Sequence, residues 1–308
     1  MKLVRYLQND RAHLGILHSD LILSAERLFE DAGERPPTVV IDADLRRLAA
    51  APEIITILLA DYLAFRDRNA LRTGTGAYDD SVTVDPSTVR ILAPIPDPGK
   101  IICIGLNYAD HCREQGKEPP PYPILFSKFA NAICGPDDPI LLPPMTTKLD
   151  YEAELGVVIG MGGSNIPAER ALAHVFGYTC VNDVSARDLQ KADGQWLRAK
   201  GMDNFAPTGP CIVSADEIPD PQNLPIRCRL NGQTMQDSNT REMVFPITEL
   251  IAFISRAITL SPGDIISTGT PDGVGLHRNP PVFLKDGDTV EVEIEGIGTL
   301  RNRVQSRP

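Results

Sequence analysis

Residues 148–160 read KLDYEAELGVVIG. Leu155 to Ile159 is an apolar run closed by Gly160, the pattern of a buried strand. Glu152 and Glu154 enter this run two residues apart, and a strand turns alternate side chains to one face. Two adjacent carboxylates on a burying face repel each other and lose hydration, so their pKa values rise. Something positive must therefore stand opposite them.

The surrounding text supports a strand-rich fold. From Lys100 onward, short apolar runs alternate with Pro- and Gly-rich loops: IICIG, PILFSK, PILLP, HVFGYTCVND, PCIVS, IRCRLNG and DIISTG. TVEVEIEGIGTLRNRV alternates strictly, with Val290, Val292 and Ile294 on one face and Glu291, Glu293 and Glu295 on the other. Gly296 and Gly298 mark its turn. One later helix is expected in PITELIAFISRAITL, where Ile247, Leu250, Ile251, Ile254 and Ile258 fall at helical spacing. Before Lys100, KLVRYL and HLGILHSDLILSA read as short strands, and residues 42–68 as one or two helices. Gly and Pro cluster in TGTGAY and again in PIPDPGK, the expected hinge. The fold class is α+β and β-rich: a smaller N-terminal α/β domain over 1–95, then a catalytic domain over 96–308. GMGGSN, residues 160–165, does not fit a dinucleotide-binding fingerprint and reads as a turn.

Composition excludes several classes. The 308 residues carry a formal net charge of −11, which a nucleic-acid backbone would repel. The most apolar segment, IITILLADYLAF, is broken by Asp61 and too short to span a bilayer, so no membrane partner is expected. None of the six cysteines forms a C-x-x-C pair, which argues for free buried thiols in a reducing compartment. MKLVRYLQND has neither the apolar core of a signal peptide nor an Arg-rich presequence pattern, so a cytoplasmic location is expected.

Candidate chemistry gathers in four places. Asp183 ends the apolar run Val175–Val181, and with Glu152 and Glu154 it would supply three oxygen ligands. Such a set, without His or Cys, suits Mg²⁺, Mn²⁺ or Ca²⁺, although strand-edge carboxylates are more often solvated or salt-bridged. In GLNYADHCREQGKEPPPYP, His111 and Glu114 are three apart and share a face if YADHCREQ is a helix. A carboxylate beside a histidine makes a usable general base. Gly116 and the prolines at 119–121 would leave an irregular lid. Taken alone, an exposed i,i+3 surface pair is the favoured reading there. Arg187 and Gln190 follow Asp183, and Lys200 precedes Gly201; these donors would suit an anionic substrate. The Gly-rich loop STGTPDGVG, residues 267–275, offers backbone amides and the Thr270 hydroxyl.

In order, IGLNYADHCRE, ILFSKFANAICGP, DYEAELGVVIG, NDVSARDLQ, WLRAKGMDNFAPTGP, MVFPITELIAFIS and PGDIISTGTPDGVG resemble the fumarylacetoacetate hydrolase family. The likeness spans residues 100–305. HCREQ, FSKFA, QWL and PPVFLKDGD are similar to its subgroup of domain-containing proteins 2. The resemblance implies a mixed β-sandwich roll and a homodimer. It implies Mg²⁺ or Mn²⁺, with Ca²⁺ as a non-physiological substitute, on Glu152, Glu154 and Asp183. It implies a His111–Glu114 dyad on a lid, with Lys200 stabilising an oxyanion. Arg187, Gln190 and Thr270, together with Gly269 and Tyr108, would contact substrate. The activity it implies is metal-dependent hydrolysis of a C–C bond in a β-diketo or 2-oxo acid, through a metal-bound enolate. Oxaloacetate-type decarboxylation, isomerisation of a 2-hydroxy-diene-dioate, and a non-catalytic metal-stabilised binding protein are the alternatives.

Overall fold

Strand Ala153–Ile159 is buried at every residue. It pairs antiparallel with Val175–Asn182 on one edge and with Ile265–Ser267 on the other. Alternate side chains then enter two different cores: Leu155, Val157 and Ile159 one, Val158 the other. A strand covered on both faces has no polar side, hence the unbroken apolar run. The computed structural model describes residues 1–73 and 81–307, the side chains of 69–73 excepted. The stretch TGTGAY beyond Thr73 lies outside the described residues.

The central strand belongs to a twelve-stranded sheet. Its path runs from Thr83–Val84 through Leu21–Ser24, Arg11–His18, Lys2–Gln8, Ala206–Ser214, Val175–Asn182, Ala153–Ile159, Ile265–Ser267 and Ile101–Gly105 to Ile124–Lys128. Lys2–Gln8 joins Ala206–Ser214 antiparallel through Lys2↔Val213 and Leu3↔Ile212, so the first strands and the site-bearing strands share one sheet. A five-stranded sheet, ordered Gln233–Asn239, Pro225–Leu230, Thr289–Ile294, Gly298–Ser306 and Ile140–Leu142, covers one face. Its Ile226, Cys228, Val290 and Val292 meet Leu155 and Val157 in a common core. On its outer face Glu293 pairs with Arg229 at 2.6 Å.

The other face is covered by N-terminal helices. Leu28, Phe29, Leu45, Leu48 and Leu58 pack with Leu3, Leu14 and Ile16, and also with Val158, Ile212 and Ile265. The architecture is the expected α+β, strand-rich one. The helix expected to reach Ile258 ends earlier, as Ile247–Ser255. There the Ser255 carbonyl accepts from the Asn165 N–H at 2.8 Å, and the Ser255 hydroxyl accepts from the Ile166 N–H at 2.9 Å. That neighbouring loop takes over the end of the helix, while Ile258 still packs on the core. All six cysteines are free and buried. Among the described residues, no helix is long and apolar enough to cross a membrane.

Candidate active site

The register Ala153↔Asn182 sets the entry of one strand beside the exit of its neighbour. Glu152 and Asp183 therefore flank the same end, and the Asp183 N–H donates to the Glu152 carbonyl at 2.9 Å. Glu154 points to the same place. One carboxylate oxygen from each of the three lies within 4.8 Å of the others, and all three residues are buried.

Part of the positive charge that the sequence demands comes from the chain itself. Lys200 Nζ lies 2.6 Å from Glu152 Oε2 and 2.7 Å from Asp183 Oδ2. Arg187 Nη2 is 2.7 Å from Glu152 Oε1, and Lys128 Nζ is 2.7 Å from Asp183 Oδ1. Burial alone would raise the Glu152 pKa, but Lys200 and Arg187 outweigh it and hold this carboxyl far below the usual range. Glu154 differs. Its Oε2 accepts from the Ser267 hydroxyl at 2.5 Å and the Gly269 N–H at 3.0 Å. Among the described residues no cation stands within ion-pair distance of it. Burial first, then Asp183 and Glu152, push it well above the usual range. An all-carboxylate, buried donor set of this kind fits a hard divalent ion. Glu154, lacking a counter-charge, is the ligand such an ion would neutralise.

His111 sits on helix Ala109–Glu114 and is only 5% exposed, so the dyad is no surface pair. Its Nδ1 is 2.8 Å from Glu114 Oε2. An ionised carboxylate only accepts, so Nδ1 carries the hydrogen and Nε2 the lone pair. The Gln115 amide nitrogen stands 2.8 Å from Nε2, and its Oε1 accepts from Lys117 Nζ at 2.8 Å. Lys117 thereby turns the amide so that its N–H faces the ring, consistent with the same tautomer. Glu114 Oε1 accepts from the Gly273 N–H at 2.9 Å. Burial opposes ionisation of Glu114, but the bonds from His111 and Gly273 prevail and lower its pKa.

His111, Glu152, Glu154, Arg187, Gln190, Lys200 and Thr270 line one cleft of about 450 Å³. Gln190 Oε1 accepts from Arg187 Nη1 at 3.1 Å, and Thr270 Oγ1 donates to the Ala153 carbonyl at 2.9 Å. Glu114 lines an adjoining cavity of about 680 Å³ rather than the cleft, and Asp183 lies fully buried behind it. Tyr108 and Gly269 do not line the cleft. Tyr108 is fully buried in the main core. Gly269 has φ +98°, gives its N–H to Glu154, and sits where a Cβ would come 2.8 Å from the Asn107 Cβ. Two buried charges escaped the sequence reading. Asp150 Oδ2 accepts from Arg187 Nε at 2.8 Å and so orients the guanidinium. Lys128 ends strand Ile124–Lys128; its place in the motif FSKFA was the available signal.

The family model described as "Fumarylacetoacetate (FAA) hydrolase C-terminal" matches residues 100–305. A Bos taurus protein named "Oxaloacetate tautomerase FAHD2A, mitochondrial" is 55% identical over 220 residues, 71% of this chain and 70% of its own length. Among solved structures, "Fumarylacetoacetate hydrolase (EaFAH)" from psychrophilic Exiguobacterium antarcticum superposes with TM-score 0.80 at 36% identity, each chain covered in full. The 5-carboxymethyl-2-hydroxymuconate delta-isomerase of Mycobacterium smegmatis does so with TM-score 0.74 at 34% identity, again over both whole chains. These findings correct the expected cytoplasmic location, because the cattle protein and further relatives are named mitochondrial. Free buried thiols and an acidic composition do not set the cytosol apart from other compartments. With its buried triad, its dyad and this extent of likeness, the chain belongs to the fumarylacetoacetate hydrolase family of enzymes.

Proposed function

We propose that the chain interconverts the keto and enol forms of an oxaloacetate-class 2-oxo acid, with Mg²⁺ or Mn²⁺ held by Glu152, Glu154 and Asp183. The observation that carries this reading is the His111–Glu114 pair, 2.8 Å apart, with the His111 ring on the wall of the cleft that Glu152 and Glu154 also line. The names of the tautomerase relatives and of the isomerase neighbour support it. A bound divalent ion would supply Lewis acidity to the 2-oxo group. The chain's own residues would do the rest. Arg187, braced by Asp150 and Gln190, pairs with the substrate carboxylate. Once the Gln115 amide releases it, His111 Nε2 takes a proton from the carbon beside the carbonyl, and Glu114 stabilises the imidazolium that forms. The same nitrogen returns that proton to the enol oxygen, so no atom is lost or gained. Lys200, on the cleft wall, offsets the negative charge on that oxygen. A mitochondrial setting, as the relatives' names state, accompanies this reading.

Hydrolysis of a C–C bond is the second reading, favoured by the name of the Exiguobacterium neighbour. There the same base would take its proton from water. One assay separates the two. Enol-oxaloacetate added to the Mn²⁺-loaded protein is expected to lose its enol absorbance faster than in buffer, with the carbon skeleton intact and no CO₂ released. Acylpyruvate cleavage without any acceleration of ketonisation would reverse the order of the two readings.

A further inference from the structure

The ammonium of Lys128 has an environment unlike that of any cation in the cleft wall. Its side chain is 0% exposed and it is not among the residues that line the cleft. It donates to the carbonyls of Val184 at 3.1 Å, Phe205 at 2.7 Å and, closer still, Lys200. An ammonium has three protons, and these three carbonyls account for them all. Its fourth neighbour is Asp183 Oδ1, at 2.7 Å. That oxygen is buried and, among the described residues, takes no hydrogen bond. The contact is therefore charge facing charge, with no proton in the line. A buried carboxylate oxygen left in this state is costly unless something else uses its lone pairs.

The geometry points to Lys128 as the positioning residue of the metal centre: it clamps the main chain at Val184, Lys200 and Phe205 and neutralises Asp183 without occupying its lone pairs. The inference rests on the reading of Glu152, Glu154 and Asp183 as metal ligands. Its physical content is a division of labour between two lysines. Lys200 lines the cleft and donates to Glu152 Oε2 and Asp183 Oδ2. Lys128 works from behind, and fixes both a ligand and the backbone from which Lys200 projects. A purely electrostatic role gives the opposite sign. A positive charge so close to a ligand repels a divalent ion, so deleting it would tighten binding. A clamp predicts weakening, because the Val184, Lys200 and Phe205 carbonyls lose their common donor and the ligand its fixed place.

Calorimetric titration of the full chain with Mn²⁺ distinguishes these outcomes. Lys128→Met is expected to weaken Mn²⁺ binding about 10- to 100-fold, the range found for residues that orient metal ligands, and to alter the electron-paramagnetic spectrum of the bound ion. Lys128→Arg, which restores charge and donors, is expected to bind Mn²⁺ more tightly than Lys128→Met. Ile294→Ala, a core change in the five-stranded sheet, controls for lost stability and is expected to leave Mn²⁺ affinity unaltered. Affinity equal to or above wild type in Lys128→Met overturns the clamp. Failure of the wild type to bind Mn²⁺ overturns the metal reading instead. Should Lys128→Met not fold, Lys128→Gln replaces it, with weakening again expected and unchanged affinity again overturning the clamp.

Discussion

Glu152 and Glu154 differ by two positions in sequence and by their whole electrostatic situation in the fold. Glu152 is gripped by Lys200 and Arg187, and both of those cations are buried with it. Replacing it by Gln removes the charge while leaving two buried cations short of a partner, a change that costs about 3 kcal/mol or more in comparable buried pairs. Glu154 carries no such pair. Gln at 154 can still accept from Ser267 and Gly269. The expected outcome is asymmetric: Glu152→Gln lowers both melting temperature and Mn²⁺ affinity, whereas Glu154→Gln lowers Mn²⁺ affinity with the metal-free melting temperature nearly unchanged. Calorimetry and a thermal melt on each variant check this, and equal destabilisation by both would contradict it. The dyad yields a pH prediction at the same scale. The Glu114 pKa is lowered in the folded chain. A carboxyl lowered by folding stabilises above its ordinary pKa, and that contribution fades as pH falls through the folded value. Urea unfolding should therefore show Glu114→Gln less stable than wild type at neutral pH. The gap should close as pH drops below about 4. A gap independent of pH would rule out the ionised Glu114 as its source.

Elements position these residues, and one close approach decides the shape of the cleft. Strand Ile101–Gly105 ends against the indole of Trp196: a Cβ on Gly105 would lie 2.5 Å from Cζ3 and 2.8 Å from Cη2. Trp196 directly precedes the helix Leu197–Lys200 and packs edge-on to Phe126, with ring centroids 5.2 Å apart. The Lys200 ammonium lies 4.9 Å from the Phe126 centroid. A methyl group at 105 must displace the indole, which lines the cleft, since the strand behind it is locked in the sheet. Gly105→Ala is expected to raise KM about tenfold or more, on the scale of an ångström's misplacement, with little loss of melting temperature. Trp196 is the sole tryptophan of the chain, so a shift in intrinsic fluorescence should accompany the change. An unshifted spectrum with an unchanged KM would refute the steric account. These contacts also show where sequence reading stops. Strand Ala153–Ile159 was legible because its apolar run and the two-residue Glu spacing are local signals. The closeness of Gly105 and Trp196 was not, since ninety residues of chain separate them and neither type advertises the other. Lys128 was illegible for a related reason: what makes it internal is three carbonyls from distant segments. Asp183, by contrast, was found from its place at a strand end and from the family motif that surrounds it.

At the scale of the molecule, the N-terminal strands complete the sheet on which the site is built. Strand Lys2–Gln8 covers the edge of Ala206–Ser214, and that strand in turn borders Val175–Asn182, which delivers Asp183. The sequence reads 1–95 as a unit of its own because Gly and Pro cluster at PIPDPGK, the expected hinge. Pairing across that boundary is non-local and leaves no trace in the pattern. The N-terminal helices also bury Val158, Ile212 and Ile265 from the far face of the central sheet. Exposing three such side chains costs roughly 5 kcal/mol or more, comparable to the whole net stability of an ordinary domain. It would also bare an apolar sheet edge, which invites aggregation. A chain truncated to residues 93–308 keeps every dyad, triad and cleft residue, yet it is expected to be insoluble or to melt without a cooperative transition. Thermal denaturation and Mn²⁺ titration of that fragment beside the full chain provide the check. A soluble fragment with a sharp transition and full-chain Mn²⁺ affinity would mean that the site-bearing strands hold their register unaided. The N-terminal strands would then serve only as a cover.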